Sequence, residues 1–276
     1  MCGMKKRILT LQDYSCLGRC SMTVALPTIS AAGIEAVGIP TALLSNHTAF
    51  PSWTLFDLTS EILPIVKKWD EVDRVFDAIY TGYLTTKQIE DVKEVFSLCK
   101  NSKIRFVDPA MADGGKLYPG FELAHVDAMR SLVSLCDICK PNVTEACFLA
   151  GVPMLEGPQK KEIYLELAKK IAAIGPKTVI ISGAHTKENQ VGCYLYENGQ
   201  GTLVEFDRLE GAYHGTGDLF ASALISCIVN GKTALQSIKV AHELVKASIE
   251  NNIAHGVDGL RYGPEFETAL RILSDL

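Results

Sequence analysis

The chain has 276 residues, of which 47% are hydrophobic and 21% are charged, as in an ordinary globular protein with a sizeable core. Its formal charge of −5, from 27 basic and 32 acidic side chains, comes without a basic stripe, so we expect no nucleic-acid partner. No run approaches the roughly 18 apolar residues that a membrane span needs, and the apolar stretch after residues 1–7 is too brief for a signal peptide. We therefore expect a cytoplasmic protein without membrane contact.

Short apolar runs alternate with longer amphipathic runs along the chain. The short runs predict strands at Arg7–Gln12, Ala36–Leu44, Val75–Thr81, Ile104–Asp108, Cys136–Lys140, Thr178–Ser182, Val191–Glu197 and Thr202–Phe206. The longer runs predict helices at Ser21–Ala32, Leu55–Lys67, Thr86–Lys100, Glu122–Ser134, Thr144–Ala150, Lys161–Ile174, Thr216–Val229, Thr233–Asn251 and Pro264–Leu273. This alternation is typical of βαβ units, and it predicts a three-layer α/β/α fold with a mostly parallel central sheet and helices on both faces.

The last two predicted strands follow a different pattern. Val191–Phe206 contains a turn at Asn198-Gly199, which is typical of a β-hairpin, so we expect a hairpin at the sheet edge. No internal repeat, low-complexity tract or linker rich in Pro, Gly or Ser divides the chain. We therefore predict one domain over residues 1–276.

Several predicted strands end in polar or glycine-bearing segments. In open parallel sheets, ligands bind beyond the carboxyl ends of the strands, so the residues that follow each strand are candidate site residues. These junctions are Asp13-Tyr14-Ser15, Ser45-Asn46-His47-Thr48, Gly82-Tyr83, Asp108-Pro109, Pro141-Asn142, Ser182-Gly183-Ala184 and Gly215-Thr216-Gly217-Asp218. We expect them to lie at the same end of the sheet, where their convergence predicts a ligand site.

The segment Gly215-Thr216-Gly217-Asp218 leads directly into a predicted helix rich in small residues. Its two glycines let the backbone approach a ligand closely, and its N–H groups lie at a helix N-terminus, which favours anions. Asp218 would stay ionised there and could orient an attacking hydroxyl during phosphoryl transfer, whose loose transition state needs only a weak base. An aspartate that merely complements the helix dipole explains the same residues equally well.

The nine cysteines indicate reduced packing residues, because disulfide frameworks are rare in the cytoplasm. Cys136 and Cys139 form a C-x-x-C motif. We expect both to lie on one strand, where residues three apart face opposite sides. No second pair with metal-ligand spacing follows, so packing is the favoured interpretation over zinc or redox chemistry.

These motifs resemble those of the ribokinase superfamily, and within it those of the pyridoxal kinases. The Gly215–Asp218 segment is similar to the superfamily's anion-hole and catalytic-base signature. The Ser45–Thr48 segment, followed by Trp53, resembles the S-N-H-T segment of pyridoxal kinases. Three further segments occur in the order and spacing that the family shows: Gly82-Tyr83, Asp108-Pro109, and Pro141-Asn142 followed by Glu145. The resemblance covers nearly the whole chain, and it implies a ribokinase-like fold and the ATP-dependent phosphorylation of a B6 vitamer.

The resemblance also assigns the residues that would act on the vitamer. Asp218 would be the base for the 5′-hydroxymethyl group, with Gly215, Thr216 and Gly217 as the anion hole. Tyr83 would stack on the pyridine ring, and the loop Met111–Tyr118 would act as a flap that excludes water. The remaining residues expected to line the vitamer pocket are Asp13, His47, Thr48 and Tyr118.

A second set of residues would bind ATP and Mg²⁺. The resemblance places Asp108, Asn142 and Glu145 against the nucleotide phosphates, with Asp108 and Glu145 as the metal ligands. Ser182 and Gly183 would touch the nucleotide. The resemblance further suggests a homodimer.

Two residues depart from the family pattern. Asp13 stands where a serine is expected, and we hypothesise that it pairs with a protonated ring nitrogen or with the amine of pyridoxamine. Lys140 replaces a small residue before Pro141-Asn142, where it could contact phosphate and displace a monovalent cation, so the sequence leaves that cation undecided.

Two alternatives remain open from the sequence. Hydroxymethylpyrimidine is also a flat heteroaromatic compound that bears a hydroxymethyl group, and Asp13 keeps a kinase for that compound in view. A carrier of the phosphorylated vitamer without turnover is the other alternative. The joint presence of Asp218, the two glycines and Glu145 argues against the carrier.

Overall fold

The computed structural model describes residues 5–69, 72, 75–274 and 276. Within them, the expected α/β fold is confirmed, with nine mostly parallel sheet strands, flanking helices and a hairpin. The strands are β1 (Arg7–Ser15), β2 (Glu35–Leu44), β3 (Leu55–Asp57), β4 (Ala78–Thr81), β5 (Ile104–Val107), β6 (Ala112–Asp113), β7 (Lys116–Leu117), β8 (Ile138–Cys139), β9 (Thr178–Ser182), β10 (Gln190–Glu197) and β11 (Gln200–Asp207). The helices are α1 (Met22–Ala31), α2 (Thr59–Lys68), α3 (Thr86–Leu98), α4 (Leu123–Val133), α5 (Val143–Ala150), α6 (Lys161–Ala172), α7 (Thr216–Val229), α8 (Ala234–His255), α9 (Gly259–Tyr262) and a 3₁₀ helix (Ala269–Leu273).

The chain divides into two compact units. The first comprises Met1–Gly82, Glu94–Lys103 and Leu209–Leu276, and the second comprises Tyr83–Lys93 and Ile104–Arg208. The single domain over residues 1–276 stays a prediction. No helix in the described part of the chain is both long enough and apolar enough to span a bilayer.

In the first unit, the strand order is β4-β1-β2-β3. The central strand β1 runs parallel to both β2 and β4, so its side chains Ile8, Leu9 and Leu11 are fully buried. Helices α1 and α7 pack against each other. The carboxyl ends of the three parallel strands therefore lie along one edge, as the alternating pattern predicted for this part of the sheet.

In the second unit, the strand order is β11-β10-β9-β8-β5. Strands β5, β8 and β9 are parallel, whereas β10 and β11 form the predicted antiparallel hairpin. Asn198 and Gly199 have φ angles of 52° and 78°, and positive φ at both central positions gives the turn a twist that matches the flanking strands. The edge hairpin is therefore confirmed.

The helix predicted at Leu55–Lys67 is wrong at its beginning. Residues 55–57 instead form the short strand β3, which pairs antiparallel with β2. The Asp57 carboxylate accepts a hydrogen bond of 2.8 Å from the backbone N–H of Thr59. This side chain satisfies a free N–H group of the first helical turn, so α2 begins at Thr59.

The single helix predicted at Pro264–Leu273 is also wrong. Only Ala269–Leu273 is helical in that range, as a 3₁₀ helix. Asn252 donates to the carbonyl of Gly263 at 3.0 Å and accepts from the N–H of Glu265 at 2.8 Å. The amide of a side chain on α8 thus satisfies the backbone groups of residues 263–265, which would otherwise belong to a helix.

The expectation that Cys136 and Cys139 face opposite sides of one strand is wrong as well. The strand β8 contains only Ile138 and Cys139, so Cys136 lies in the turn before it. Both thiols are buried and hydrogen-bonded to each other. Burial raises the pKa of the Cys139 thiol well above its ordinary value, which disfavours the thiolate that metal binding requires.

Candidate functional site

The turn before helix α7 requires glycine at position 215. Gly215 has a φ of 82° and is the N-cap residue of α7. A Cβ atom there would overlap the carbonyl oxygen of Arg19, so the chain segment before α1 packs directly on this turn. Gly217 is exposed, and a Cβ at that position would meet no heavy atom within 4 Å. The amides at the start of α7 therefore border open space at a helix end that favours anions.

Asp218 is fixed by the segment that precedes α1. The backbone N–H of Ser21 donates to Asp218 Oδ2 at 2.8 Å. The Asp218 side chain is half-buried and belongs to the first turn of α7. A carboxylate at this position interacts favourably with the helix dipole.

Asp13 lies beside Asp218 at the end of β1. Its side chain is only 6% exposed, and it accepts a hydrogen bond of 3.1 Å from the Ser15 hydroxyl. Burial raises the pKa of the Asp13 carboxyl to about 6; the Asp218 charge adds to this effect, whereas hydrogen bonds from Ser21 and Ser15 oppose it. The first unit thus holds two neighbouring carboxylates on two elements.

Replacing Asp13 by asparagine should stabilise the protein at neutral pH. The pKa of Asp13 rises from 3.8 to about 6 on folding. Ionisation of the buried carboxyl therefore lowers the free energy of unfolding as the pH increases through this window. That cost is absent below pH 4 and reaches about 3 kcal/mol above pH 6. We therefore expect the stability difference between Asp13→Asn and wild type to grow from pH 4 to pH 7.

Urea unfolding at pH 4, 5, 6 and 7 measures this difference. Asp57→Asn is the matched control, since Asp57 is exposed and its carboxylate should show no comparable burial cost. A difference between Asp13→Asn and wild type that is flat with pH, or that shrinks as the pH rises, would contradict the assigned burial cost.

His47 is buried beneath the turn that leads to α7. Its Nε2 donates to the Arg261 carbonyl at 2.8 Å, and its Nδ1 accepts from the Ala49 N–H at 3.3 Å. Its ring stacks on His214 with centroids 4.2 Å apart. Burial and the neighbouring His214 lower the pKa of His47 to about 4, so the neutral tautomer with hydrogen on Nε2 satisfies both contacts. His47 therefore connects the Ser45–Thr48 segment to the residue before Gly215, while Thr48 itself is exposed.

Gly82 directly follows β4, where the strand adjoins β1. A Cβ at this position would lie 2.5 Å from Gln12 Oε1. Gln12 is fully buried, and its Nε2 donates to Thr10 at 2.8 Å. The glycine is therefore required by the packing of the Gln12 amide.

In the second unit, two of the predicted nucleotide residues form a buried ion pair. Lys140 Nζ lies 3.0 Å from Asp108 Oδ2, and the two side chains are 4% and 6% exposed. These residues follow or end the neighbouring parallel strands β5 and β8. Breaking such a pair would leave a charge buried without its counterion. Lys140 is therefore a structural part of this cluster.

Asn142 and Glu145 form a capping box at the start of α5. The Asn142 side chain accepts from the Glu145 N–H at 2.8 Å, and Glu145 Oε2 accepts from the Asn142 N–H at 2.8 Å. Glu145 Oε1 also accepts from the Met111 N–H at 3.2 Å. Burial and the nearby Asp108 raise the pKa of Glu145 to about 8, although Lys140 opposes the shift. Asn142 and Glu145 thus cap helix α5, and their roles toward phosphate and metal stay predictions.

The predicted flap is a small hairpin built from β6 and β7. It turns at Gly114 and Gly115, whose φ angles are 55° and 79°. The hairpin is joined to the start of α5, because the Gly115 N–H donates to Thr144 at 3.0 Å and the Asn142 side chain donates to the Ala112 carbonyl at 2.8 Å. Tyr118, at its end, is half-buried.

Ser182 and Gly183 lie where β9 ends, next to the start of α5. The Ser182 N–H donates to the Pro141 carbonyl at 2.8 Å, and Asn142 and Ser182 form an isolated parallel bridge. Gly183 has a φ of 80°, which turns the chain away from the strand. The end of β9 thus adjoins the Asn142 capping box, as the position of these residues after parallel strands predicted.

Tyr83 begins an aromatic stack that the sequence did not suggest. Its ring stacks on Phe121 with centroids 5.4 Å apart, and Phe121 stacks on His125 at 3.8 Å. His125 is buried, its Nδ1 contacts Thr86 at 3.0 Å, and burial lowers its pKa to about 4. One face of Tyr83 is therefore occupied by Phe121, so a ligand ring could stack only on the other face.

Sequence reasoning also missed Ser21, the residue that contacts Asp218. A serine at the start of a predicted helix, as in Ser21–Ala32, is usually an N-cap, and that signal offered no reason to connect it with a carboxylate 197 positions away. Across the described residues, no group of three or more His, Cys, Asp or Glu side chains could hold a metal ion. Any ion at Asp108 and Glu145 would therefore need ligands from a substrate and from water.

Comparison with known proteins identifies similar kinases. A family model described as phosphomethylpyrimidine kinase matches residues 22–262. A crystallised protein from Bacteroides thetaiotaomicron that carries the same kinase name, in a form with pyridoxal, is 32% identical, with 99% of this chain and 96% of that chain covered and a TM-score of 0.91. The hydroxymethylpyrimidine/phosphomethylpyrimidine kinase of Aquifex aeolicus is 25% identical over 88% of this chain and 94% of its own length. The pyridoxine kinase of Bacillus subtilis is 30% identical over 71% of each chain.

Proposed function

Because the chain belongs to the phosphomethylpyrimidine kinase family of the ribokinase superfamily, we propose that it transfers the γ-phosphoryl group of ATP to the 5′-hydroxymethyl group of a B6 vitamer. The observation that carries this proposal is Asp218, held by the Ser21 N–H beside the amides that begin α7. A weak base and a set of anion-binding amides at one helix N-terminus suit the loose transition state of phosphoryl transfer.

The proposed chemistry assigns each group one task. Asp218 orients the vitamer hydroxyl and accepts its proton as the oxygen bonds to the γ-phosphorus, while the bond from that phosphorus to the β,γ-bridging oxygen breaks and ADP leaves. The amides of Gly215, Thr216 and Gly217 stabilise the negative charge on the transferring group. One well-placed donor of this kind contributes about 3 kcal/mol to lowering a barrier.

The nucleotide is proposed to bind at the strand ends of the second unit. Asp108, Asn142, Lys140, Ser182 and Gly183 are the residues proposed to bind it there. The Lys140–Asp108 ion pair places the lysine among these residues, which supports the proposed contact between Lys140 and phosphate.

The donor chemistry fits a magnesium ion. Mg²⁺ prefers oxygen ligands and commonly takes one or two carboxylates, completing its shell with phosphate oxygens and water. Asp108 and Glu145 would hold it, and when bound it would neutralise charge on the phosphates. Glu145 already accepts two backbone N–H groups, so this chain keeps its carboxylate fixed independently of the ion.

The choice between a B6 vitamer and hydroxymethylpyrimidine is the finer part of the proposal. The relatives include kinases of both kinds, and the Bacteroides protein was crystallised with pyridoxal. The aromatic ring of Tyr83, which stacks on Phe121, supports a flat heteroaromatic substrate. The roles of His47, Thr48, Tyr83 and Tyr118 toward the vitamer, and of residues 111–118 as the flap, stay predictions. The homodimer and the cytoplasmic location stay predictions.

A coupled assay of ADP release tests the proposal. We expect turnover with pyridoxal, pyridoxamine or pyridoxine at a kcat/KM at least about 10-fold above that with hydroxymethylpyrimidine, a difference of about 1.4 kcal/mol in transition-state binding. A preference for the pyrimidine would assign the alternative substrate. Absence of ADP release with every acceptor would reject the kinase activity and favour a carrier.

A further inference from the structure

The three residues Asp13, Ser21 and Asp218 form a connected group within the first unit. Ser21 donates its backbone N–H to Asp218 Oδ2 at 2.8 Å. Its side chain is hydrogen-bonded to Asp13. One serine therefore bridges two carboxylates, one at the end of β1 and one at the start of α7.

The backbone of Ser21 has an uncommon conformation. Its φ and ψ angles are 47° and −127°, and a φ in this range is unfavourable for any residue other than glycine. Such a conformation persists only where the surrounding contacts impose it. The hydrogen bonds to Asp13 and Asp218 are contacts that can do so.

The side chain of Ser21 does not cap the helix that it precedes. It is the N-cap residue of α1, yet its side chain makes no capping hydrogen bond. An N-cap serine normally accepts from the N–H two or three residues later, which stabilises a helix by about 1 kcal/mol. The Ser21 hydroxyl is instead hydrogen-bonded to Asp13, so α1 lacks this capping bond.

The Asp13 carboxyl group is hydrogen-bonded to serine side chains. It is 6% exposed and is bound by Ser15 at 3.1 Å as well as by Ser21. The charged and titratable groups beside it are the Asp218 carboxylate and the Cys20 thiol. Its contacts are therefore with the residues that hold Asp218.

We propose that Asp13 is a positioning residue, which holds Ser21 in its strained conformation so that the Ser21 N–H fixes the orientation of the Asp218 carboxylate. This inference rests on the proposed function of Asp218 as the base. It replaces the hypothesis of a direct contact between Asp13 and the amine or ring nitrogen of the vitamer.

Positioning and direct substrate contact predict different kinetics. A misplaced base lowers kcat, and a displacement of about 1 Å can cost roughly 100-fold. We expect Asp13→Ala, which removes the acceptor of the Ser21 hydroxyl, to lower kcat about 10- to 100-fold, with KM within about 3-fold and the same factor for each vitamer. A direct contact with an amine or ring nitrogen would instead raise KM and would affect pyridoxamine differently from pyridoxine.

A double-mutant cycle with Ser21→Ala tests whether both residues act through one hydrogen bond. Both changes remove the same bond, so the double variant should be no slower than the slower single variant. Ser15→Ala is the control, because it removes the other partner of Asp13 and leaves the Asp13–Ser21 contact in place; we expect kcat within about 3-fold of wild type. Multiplicative effects of Asp13→Ala and Ser21→Ala, or vitamer-dependent factors, would overturn the proposal.

Crystal structures of wild type and Asp13→Ala provide a readout that does not depend on activity. We expect the Ser21 N to Asp218 Oδ2 distance of 2.8 Å in wild type to lengthen beyond hydrogen-bond range in the variant, with φ of Ser21 returning to negative values. An unchanged Ser21 in Asp13→Ala would overturn the positioning role. If wild type phosphorylates only hydroxymethylpyrimidine, the vitamer assignment fails, and the double-mutant cycle is measured with that acceptor instead. If wild type releases no ADP with any acceptor, the proposed function fails, and the crystal structures alone test the positioning role.

Discussion

Replacing Asp218 by asparagine should lower kcat by about 10³-fold, because the amide keeps the size of the side chain but cannot accept the proton of the attacking hydroxyl. The amide oxygen can still accept the Ser21 N–H, which now binds Asp218 Oδ2 at 2.8 Å, so the fold of this region should be retained. Substrate KM should change less than about 3-fold, since the base acts mainly in the transition state. Coupled ADP release at saturating ATP and vitamer measures both constants.

Asp57→Asn is the matched control for this change. Asp57 also lies at a helix N-terminus and accepts a backbone N–H at 2.8 Å, but it lies outside the proposed site. It should keep kcat within about 2-fold of wild type, as expected for a surface substitution. Equal losses in the two variants would show that helix capping explains the effect, and a fully active Asp218→Asn protein would remove the base from the mechanism.

The second large effect is expected from Gly215→Ala. A Cβ atom at this position would overlap the Arg19 carbonyl oxygen, and the φ of 82° is unfavourable for alanine. We expect a loss of about 3 kcal/mol in the free energy of unfolding, as is typical where strain and a backbone clash combine. Activity should fall as well, because a displaced Arg19 moves the neighbouring Ser21 away from Asp218.

Gly217→Ala separates stability from activity at the same turn. No heavy atom lies within 4 Å of a Cβ at this position, so the free energy of unfolding should stay within about 0.5 kcal/mol of wild type. We nevertheless expect kcat to fall about 10-fold or more, because the added methyl group occupies space beside an amide proposed to contact the phosphoryl group. Urea unfolding and ADP release on both variants give the comparison. A stable, fully active Gly215→Ala protein would contradict the packing of Arg19 on this turn.

The sequence was sufficient to predict most strands of the sheet, although not the short strands β3, β6 and β7. Local apolar periodicity is set by burial of each element, so β9 and α7 begin and end where the pattern placed them. Position at the end of a strand likewise drew attention to Asp13 and Asp108, whose roles toward a ligand stay predictions. The bounds of β9 and α7 could be predicted because they depend on short stretches of chain.

The contacts between distant segments could not be predicted in the same way. The Lys140–Asp108 ion pair and the Ser21–Asp218 hydrogen bond join residues from different elements, and no local pattern encodes which side chains will meet. The errors have the same origin. Pairing with β2 makes residues 55–57 a strand, and the Asn252 side chain keeps residues 263–265 out of a helix.

The proposed mechanism depends most on the transfer of a phosphoryl group to a hydroxymethyl oxygen, with Asp218 as the base that accepts the proton. Phosphorus NMR of the product formed from ATP and each acceptor tests this transfer directly. We expect wild type to give a phosphomonoester on the 5′ oxygen of a B6 vitamer together with one equivalent of ADP, and Asp218→Asn to form both about 10³-fold more slowly. A product with inorganic phosphate alone, or an equally active Asp218→Asn protein, would contradict the account.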